Sequence, residues 1–160
     1  MAGRDLPTVL QWRNHPDVRR FMYTQHIINP EEHARWFARS AGEPGVRLLI
    51  YERNDVPRGF VNISATRSAP VADWGFYLAP DAEPGTGSAL GAAALEYAFA
   101  RLKLHKLCGE ALGFNERSIR FHERLGFARE GVLREQHFDG EQYHDVIRFG
   151  LLAAEWQQKL

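Results

Sequence analysis

The chain has 160 residues, 44% of them hydrophobic and 25% charged, which is typical of one globular domain. Its twenty basic and twenty acidic residues cancel, so no strongly basic surface for nucleic acid or for an anionic membrane is expected. The single cysteine cannot form an internal disulfide bond, and no segment suits a signal peptide or a membrane span. We therefore expect a single cytoplasmic domain over residues 1–160, without nucleic-acid or membrane partners.

Helical signals dominate the first quarter of the chain. Asp5 can cap a short helix with a proline in its first turn, and Pro16 ends that helix. One further helical turn is predicted over residues 17–21. Asn29, followed by a proline and two glutamates, gives a strong start signal for a helix that ends near Gly42.

The remainder of the chain alternates between strand and helix signals. Six segments have strand patterns: residues 46–51, 59–64, 74–78, 106–112, 132–138 and 142–152. The first two form a hairpin, as do the last two around Asp139-Gly140, a favoured tight-turn pair. An alanine-rich apolar stripe predicts a helix over residues 90–102, and Asn115 caps a helix that ends at Gly126. This order predicts a mixed, mostly antiparallel α/β sheet with helices on both faces.

A glycine turn, Gly85-Thr86-Gly87-Ser88, lies between the third predicted strand and the helix that follows it. Glycine lets the backbone turn tightly, so that successive N–H groups can point at one anion beside the positive end of the helix. The pattern is neither a Walker motif nor G-x-G-x-x-G, because no lysine follows the second glycine and Leu90 replaces the third glycine. The turn predicts a pyrophosphate site, with an ordinary strand-to-helix turn as the alternative.

Four features together resemble the GNAT superfamily of acyl-CoA N-acyltransferases: the glycine turn, Glu110, Asn115 and the segment FHERLGF at residues 121–127. The resemblance covers most of the chain and implies the GNAT fold, with acetyl-CoA as co-substrate. It also implies the residues that contact coenzyme A: Gly85, Thr86, Gly87 and Ser88 at the pyrophosphate, Phe76 and Leu78 on the strand that pairs with pantetheine, and Asn115 beside them. Ala82 stands where the family usually has Gln or Arg, which removes one polar contact but leaves the backbone amides.

A narrower match lies in four N-terminal segments, namely residues 12–16 (WRNHP), 18–19 (VR), 21–23 (FMY) and 31–33 (EEH). Among GNAT proteins this series is similar to the enzymes that acetylate the 4-amino group of UDP-4-amino-4,6-dideoxy-N-acetyl-β-L-altrosamine, in pseudaminic acid biosynthesis for flagellin glycosylation. The resemblance implies that Arg13 and His33 hold the nucleotide, and that Met22 and Trp36 form the wall of the sugar pocket. Family members usually begin with a strand, for which this sequence leaves no room, so we expect a shorter sheet edge or an upstream start site.

Acetyl transfer to nitrogen needs a neutral amine and a proton for the leaving thiolate. Glu110 lies five residues before Asn115, where ribosomal-protein N-acetyltransferases of the superfamily have a base; the alternative is a solvated glutamate on an edge strand. His122 stands where most family members have the tyrosine that protonates the thiolate. The alternative is a surface histidine, with Tyr143 or Tyr77 as the donor.

Two questions about function stay open in the sequence. Four basic residues favour a UDP-linked amino sugar as acceptor: Arg13, Arg19, Arg20 and His33. The alternatives are a protein N-terminus or another small amine, and a non-catalytic domain that binds acyl-CoA. The histidines and the cysteine lack the H-x-x-x-H and C-x-x-C spacings of metal ligands, so no metal is expected. A homodimer is a further expectation.

Overall fold

The computed structural model describes residues 1–158, in which six strands form one sheet with helices on both faces. The strands are β1 (Val46–Arg53), β2 (Val56–Ala65), β3 (Val71–Leu78), β4 (Lys106–Leu112), β5 (Ala128–Phe138) and β6 (Tyr143–Leu152). The helices are α1 (Leu6–Asn14), α2 (Pro16–Arg19), α3 (Pro30–Gly42), α4 (Thr86–Glu96), α5 (Glu116–Leu125) and α6 (Ala153–Gln157), and α4 continues as a π-helical segment over Tyr97–Arg101. The predicted order of elements and the mostly antiparallel sheet are confirmed.

The strand order in the sheet is β1-β2-β3-β4-β6-β5. Four of the five neighbouring pairs are antiparallel, whereas β3 and β4 are parallel. The parallel pairing is short, because residues 71–73 alone pair with residues 106–108. The sheet therefore consists of two halves that are joined at one end of β3 and β4 and separate at the other.

Strand periodicity divides the core between the two faces of the sheet. Val61 and Ile63 of β2 belong to the larger core cluster, with Leu90 of α4 and Phe121 of α5. Phe60, which directly precedes Val61 and points to the opposite face, packs in a smaller cluster with Val9 and Trp12 of α1. Because successive residues of a strand point to opposite faces of the sheet, β2 contributes side chains to both clusters.

Side-chain caps set the start of two helices as predicted. The Asn29 carboxamide oxygen accepts from the Glu32 amide at 2.8 Å, and that of Asn115 accepts from the Ser118 amide at 3.1 Å. The predicted cap at Asp5 is wrong, because its carboxylate accepts instead from the Ala2 amide at 2.6 Å. Helix α1 therefore begins without a side-chain cap.

Strand β5 forms one edge of the sheet and contains a bulge. Leu133 is opposite Val146 and His137 is opposite His144, so three residues of β5 lie across from one residue of β6. At the centre of the bulge Glu135 has a φ of 50°, and its amide donates to the Asp145 carboxylate at 2.9 Å. The strand starts four residues earlier than predicted, since Ala128, Arg129 and Gly131 also pair with β6, and a second irregularity leaves Glu130 unpaired.

At the opposite edge of the sheet lies β1. Within the described residues no strand precedes α1, and the Met1 ammonium donates to the Leu48 carbonyl of β1 at 2.9 Å.

In residues 1–158 there is also no helix with both the length and the apolar character needed to cross a bilayer.

Candidate active site

A cleft of about 920 Å³ lies where β3 and β4 separate. Residues 74–78 of β3 pair with β2 along one edge but are not paired with β4 along the other. The backbone N–H and C=O groups of that second edge face the cleft and can bind an extended ligand as a further strand would. Phe76 and Leu78, predicted on the strand that pairs with pantetheine, line this cleft.

The glycine turn forms one end of the cleft. Gly85 has a φ of 88°, a conformation that glycine adopts without strain, and α4 begins directly after it. The amide groups of Gly87 and Ser88 lie in the first turn of α4, where a helix provides no acceptors for its own N–H groups. These donors and the helix dipole together suit a phosphate anion, and Gly85, Gly87 and Ser88 all line the cleft.

Thr86 differs from its neighbours in the turn. Its side chain is buried, with 1% exposure, and its amide donates to the Glu83 carbonyl at 3.1 Å. The structure therefore does not place Thr86 against a cofactor phosphate, contrary to the prediction. A threonine inside a G-x-G turn gives no sequence signal of this inward orientation.

Helix α5 contributes polar groups to the same end of the cleft. Asn115 lines the cleft, while its carboxamide oxygen caps α5. Arg117 and Arg124 also line it and are exposed. These two arginines were not predicted from the sequence; they add positive charge to the cleft that the glycine turn also lines, which suits a ligand with several phosphates.

The other end of the cleft is formed by Glu110 and its two partners. The Tyr23 hydroxyl donates to Glu110 Oε2 at 2.6 Å, and the Arg148 guanidinium forms an ion pair with the other carboxylate oxygen. Arg148 also lies 3.7 Å from the Asp73 carboxylate. Met22, predicted in the sugar pocket, lines the cleft beside these residues. Tyr23 belongs to the segment FMY but was given no role from the sequence, and Arg148 was not identified.

The hydroxyl of Tyr23 stays protonated over a wide pH range. Partial burial, and then the hydrogen bond to the Glu110 carboxylate, raise the pKa of Tyr23 above its usual value of 10. The phenolate would lie beside a carboxylate, which disfavours the charged form. Tyr23 therefore carries its proton at neutral pH.

His122 lies beneath the cleft and not in it. Its side chain is 1% exposed, its Nε2 accepts from the Trp74 indole N–H at 3.2 Å, and its Nδ1 donates to the Ser118 carbonyl at 2.8 Å. The ring also stacks on Phe149 with a centroid distance of 4.6 Å. Burial lowers the pKa of His122, so the imidazole is neutral. The prediction that His122 protonates the thiolate is therefore withdrawn, since both nitrogens are occupied away from the cleft.

The residues predicted to hold a nucleotide lie in the packing of the N-terminal helices. Arg13 donates to the Thr24 carbonyl at 3.2 Å, and burial lowers its pKa. His33 is 4% exposed and stacks on Trp36 with a centroid distance of 5.1 Å; burial, and then the charge of Arg13, lower the pKa of His33. Trp36 contacts Phe60 in the smaller core cluster. The structure places none of these three side chains in the cleft lining, contrary to the prediction.

The two tyrosines predicted as alternative donors differ in position. Tyr143 is 63% exposed, packs against Phe138 with tilted rings and lies outside the cleft lining. Tyr77 lines the cleft, but its ring packs on Phe60 with a centroid distance of 5.1 Å, and burial raises its pKa. Tyr23 is thus the tyrosine whose hydroxyl contacts Glu110.

Metal ligands are not grouped in the described part of the chain. Among residues 1–158 no three His, Cys, Asp or Glu side chains are arranged to hold a metal ion. The cleft instead offers backbone donors, arginines and one carboxylate–phenol pair, a set that suits a phosphate-bearing thioester and an amine.

Comparisons with known proteins agree with this geometry. Residues 1–128 match the family described as acetyltransferase (GNAT) domain. The acetyltransferase PseH of Campylobacter jejuni (strain 81-176) is 28% identical over 130 residues, which cover 79% of each chain. The spermidine N(1)-acetyltransferase of Escherichia coli K12 is 30% identical over 172 aligned residues, which cover 98% of this chain and 85% of that relative.

Among solved structures, the spermidine N-acetyltransferase of Vibrio cholerae in complex with CoA and spermine has the same fold. Its TM-score is 0.90 at 21% sequence identity, and the alignment covers 98% of this chain and 95% of that one. Family, fold and a cleft that fits acetyl-CoA therefore lead to one conclusion. The chain belongs to the GNAT family of acetyltransferases, and it is an acetyl-CoA-dependent N-acetyltransferase.

Proposed function

We propose that the chain transfers the acetyl group of acetyl-CoA to the 4-amino group of a UDP-linked amino-dideoxy-sugar. The observation that supports this acceptor best is the pairing of charges at the Glu110 end of the cleft. Asp17 lies 3.5 Å from Arg20, while Asp73 and Glu110 share Arg148. Every carboxylate that lines the described cleft thus has an arginine partner.

This pairing disfavours a polyamine, which carries several positive charges and is bound best by unpaired carboxylates. Three carboxylates and two arginines leave a net charge of about −1 at this end of the cleft, which suits one ammonium group. Arg20 and Asp17 are both exposed, so their ion pair contributes little to stability. A phosphate group of the acceptor can therefore replace Asp17 as the ion-pair partner of the Arg20 guanidinium.

Aromatic side chains offer a surface for the nucleotide base. Tyr23 and Phe21 line the cleft, and residue Tyr23 is 54% exposed. The Arg20 guanidinium lies over the Phe21 ring, 4.6 Å from its centroid. A planar ring beside an arginine is a common arrangement for stacking a base next to its phosphates.

Glu110 and Tyr23 are the proposed proton-transfer groups. Acetyl-CoA supplies the activated acyl group as a thioester. Glu110 takes a proton from the acceptor ammonium, directly or through a water molecule, and so provides the neutral amine. Tyr23 gives its phenolic proton to the thiolate and regains one from Glu110 through their hydrogen bond. As the neutral amine attacks the thioester carbonyl, the C–N bond forms, the C–S bond breaks, and the nitrogen releases its second proton to water. The two residues therefore end the cycle in their starting protonation states.

A thiol-release assay distinguishes this acceptor from the alternatives. Purified chain and acetyl-CoA are mixed with a UDP-4-amino sugar, spermidine or peptides with free N-termini. We expect the highest kcat/KM with the UDP-linked sugar, and a KM at least tenfold higher for the same sugar without its nucleotide. A higher kcat/KM with spermidine or with a peptide would contradict the proposal. Equal KM values for the sugar with and without UDP would show that the nucleotide does not contribute to acceptor binding.

The homodimer expected from the sequence stays a prediction. Sedimentation equilibrium tests it, because a dimer has twice the chain mass of 18.3 kDa. A mass equal to that of one chain at micromolar concentration would contradict it.

A further inference from the structure

We infer that Arg148 determines acceptor specificity by excluding polyamines from the Glu110 end of the cleft. The inference rests on the proposed function in that it takes a singly charged amine as the acceptor. Arg148 lies on β6, and its partner in the β4–β6 register is Glu110. Its guanidinium contacts Glu110 and lies 3.7 Å from Asp73 on β3, so one cation serves two carboxylates on two strands.

The position of Arg148 is fixed by the sheet. Its neighbours in sequence, Ile147 and Phe149, are buried in the larger core cluster on the opposite face. The Arg148 side chain therefore points to the cleft face, and it lines the cleft with 36% of its surface exposed. A ligand at this end meets the guanidinium directly.

Removal of the guanidinium would leave Asp73 and Glu110 without a cationic partner among the described residues. Their side chains are 52% and 32% exposed, so both remain accessible to a ligand. Two neighbouring carboxylates favour the binding of a polyamine, because each of its ammonium groups can lie close to a negative charge. The arginine thus discriminates against polycations by occupying their binding groups and by repelling them.

Arg148→Gln tests this role. The substitution keeps a polar side chain but removes the charge. Because the change also alters the environment of Glu110, the rate with every amine can change, so the informative quantity is a ratio. Thiol release gives kcat/KM for spermidine and for a monoamine without other charges, such as benzylamine. We expect the spermidine-to-monoamine ratio to rise at least tenfold over that of the parent chain.

Two variants serve as matched controls. Arg129→Gln also removes an arginine from an ion pair, here with Glu123, but outside the cleft lining. It should leave the ratio unchanged. The double variant Arg148→Gln with Asp73→Asn removes one of the two freed carboxylates and should return the ratio towards the parent value. The gain in Arg148→Gln should also shrink at high salt, because screening weakens attraction between exposed charges.

A measurement of spermidine affinity compares the variants without relying on turnover. Calorimetric titration of spermidine into each variant with bound CoA should show at least tenfold tighter binding to Arg148→Gln than to the parent. A ratio and a dissociation constant that both stay within twofold of the parent values overturn the inference. Failure of the proposed function is a separate result, namely a parent chain that does not acetylate the UDP-linked sugar.

Discussion

Gly87 allows a direct test of the cofactor site at the scale of one residue. A Cβ at this position would lie 3.5 Å from Leu78 and 3.8 Å from Phe121, which are ordinary contacts. Gly87→Ala should therefore retain acetyl-CoA binding. Gly87→Glu places a negative charge beside the pyrophosphate and should weaken binding at least tenfold, or about 1.4 kcal/mol. Calorimetry with acetyl-CoA measures both variants, and equal affinities for alanine and glutamate would contradict the assignment.

Tyr23 provides a second test at this scale. Tyr23→Phe keeps the ring but removes the proton that is proposed to reach the thiolate. We expect kcat to fall about 100-fold, the lower end of the usual contribution of general acid catalysis, while the KM for acetyl-CoA stays within a factor of about two. Steady-state kinetics with the UDP-linked sugar measures both constants. Tyr143→Phe, outside the cleft lining, should match the parent.

The pH dependence of kcat separates Tyr23 from His122 as the acid. The pKa of Tyr23 is raised, so its loss of a proton should not reduce kcat between pH 7 and 9. A histidine donor would instead reduce kcat as pH rises through its own pKa, which burial lowers from the usual value of 6.5, so the fall would lie below pH 7. A fall in kcat between pH 5 and pH 7 that disappears in His122→Asn would restore His122 as the donor.

His122 also shows which part of the site is readable from the sequence. The segment FHERLGF placed His122 on the correct helix, and its spacing of three residues from Ile119 was a signal that both share the buried face of α5. The motif position alone suggested the role of the usual tyrosine. A histidine is shorter, and here its two nitrogens are satisfied by Trp74 and Ser118.

At the scale of elements, Gly109 determines how closely α5 approaches the sheet. A Cβ on Gly109 would lie 2.5 Å from His122 Nε2 and 2.7 Å from Trp74 Nε1. Gly109→Ala must therefore displace the hydrogen-bonded pair, and we expect a loss of about 1–3 kcal/mol in the free energy of unfolding. Gly131→Ala, in another strand where a Cβ would meet nothing within 4 Å, is the matched control. Urea denaturation of both variants checks the difference.

The packing of α5 on the sheet also predicts acid sensitivity. Burial lowers the pKa of His122 in the folded chain, whereas the unfolded value is 6.5. Above that pH both states are neutral. As pH falls below 6.5 the unfolded chain binds a proton that the folded chain does not, so the free energy of unfolding decreases.

Urea denaturation at pH 7 and pH 5 measures this effect. His122→Gln should show a smaller loss of stability between the two pH values than the parent chain. His105→Gln, at an exposed position, should show the parental loss. An unchanged loss in His122→Gln would mean that other groups, such as the buried His33, cause the acid sensitivity.

Element types were predictable from the sequence because they depend on local patterns. Alternation gave the strands, and Asn29 and Asn115 gave helix starts that the structure confirms. The cleft depends instead on where β3 and β4 stop pairing, and the ion pair of Glu110 with Arg148 depends on the β4–β6 register. Both are relations between segments far apart in sequence, which no local pattern contains.

At the scale of the whole molecule, acetyl-CoA should join the two halves of the sheet. Only three residue pairs connect β3 to β4, and the pantetheine is expected along residues 74–78. Acetyl-CoA at 100 times its dissociation constant adds about 2.7 kcal/mol to stability, which raises the melting temperature by roughly 5–10 °C for a chain of this size. Hydrogen exchange should slow at residues 74–78 on binding. Unchanged exchange there, at saturating acetyl-CoA, would contradict the strand-like placement.

The bulge in β5 affects whether chains can associate through their sheet edges at high concentration. A regular edge strand offers a continuous row of backbone donors and acceptors, along which further chains can add without limit. The bulge between Leu133 and His137 interrupts that row, and the backbone of Glu135 turns out of the extended conformation. Two neighbouring apolar residues, Val132 and Leu133, are 52% and 39% exposed. The edge is thereby divided into short stretches, which limits the addition of further chains into fibres.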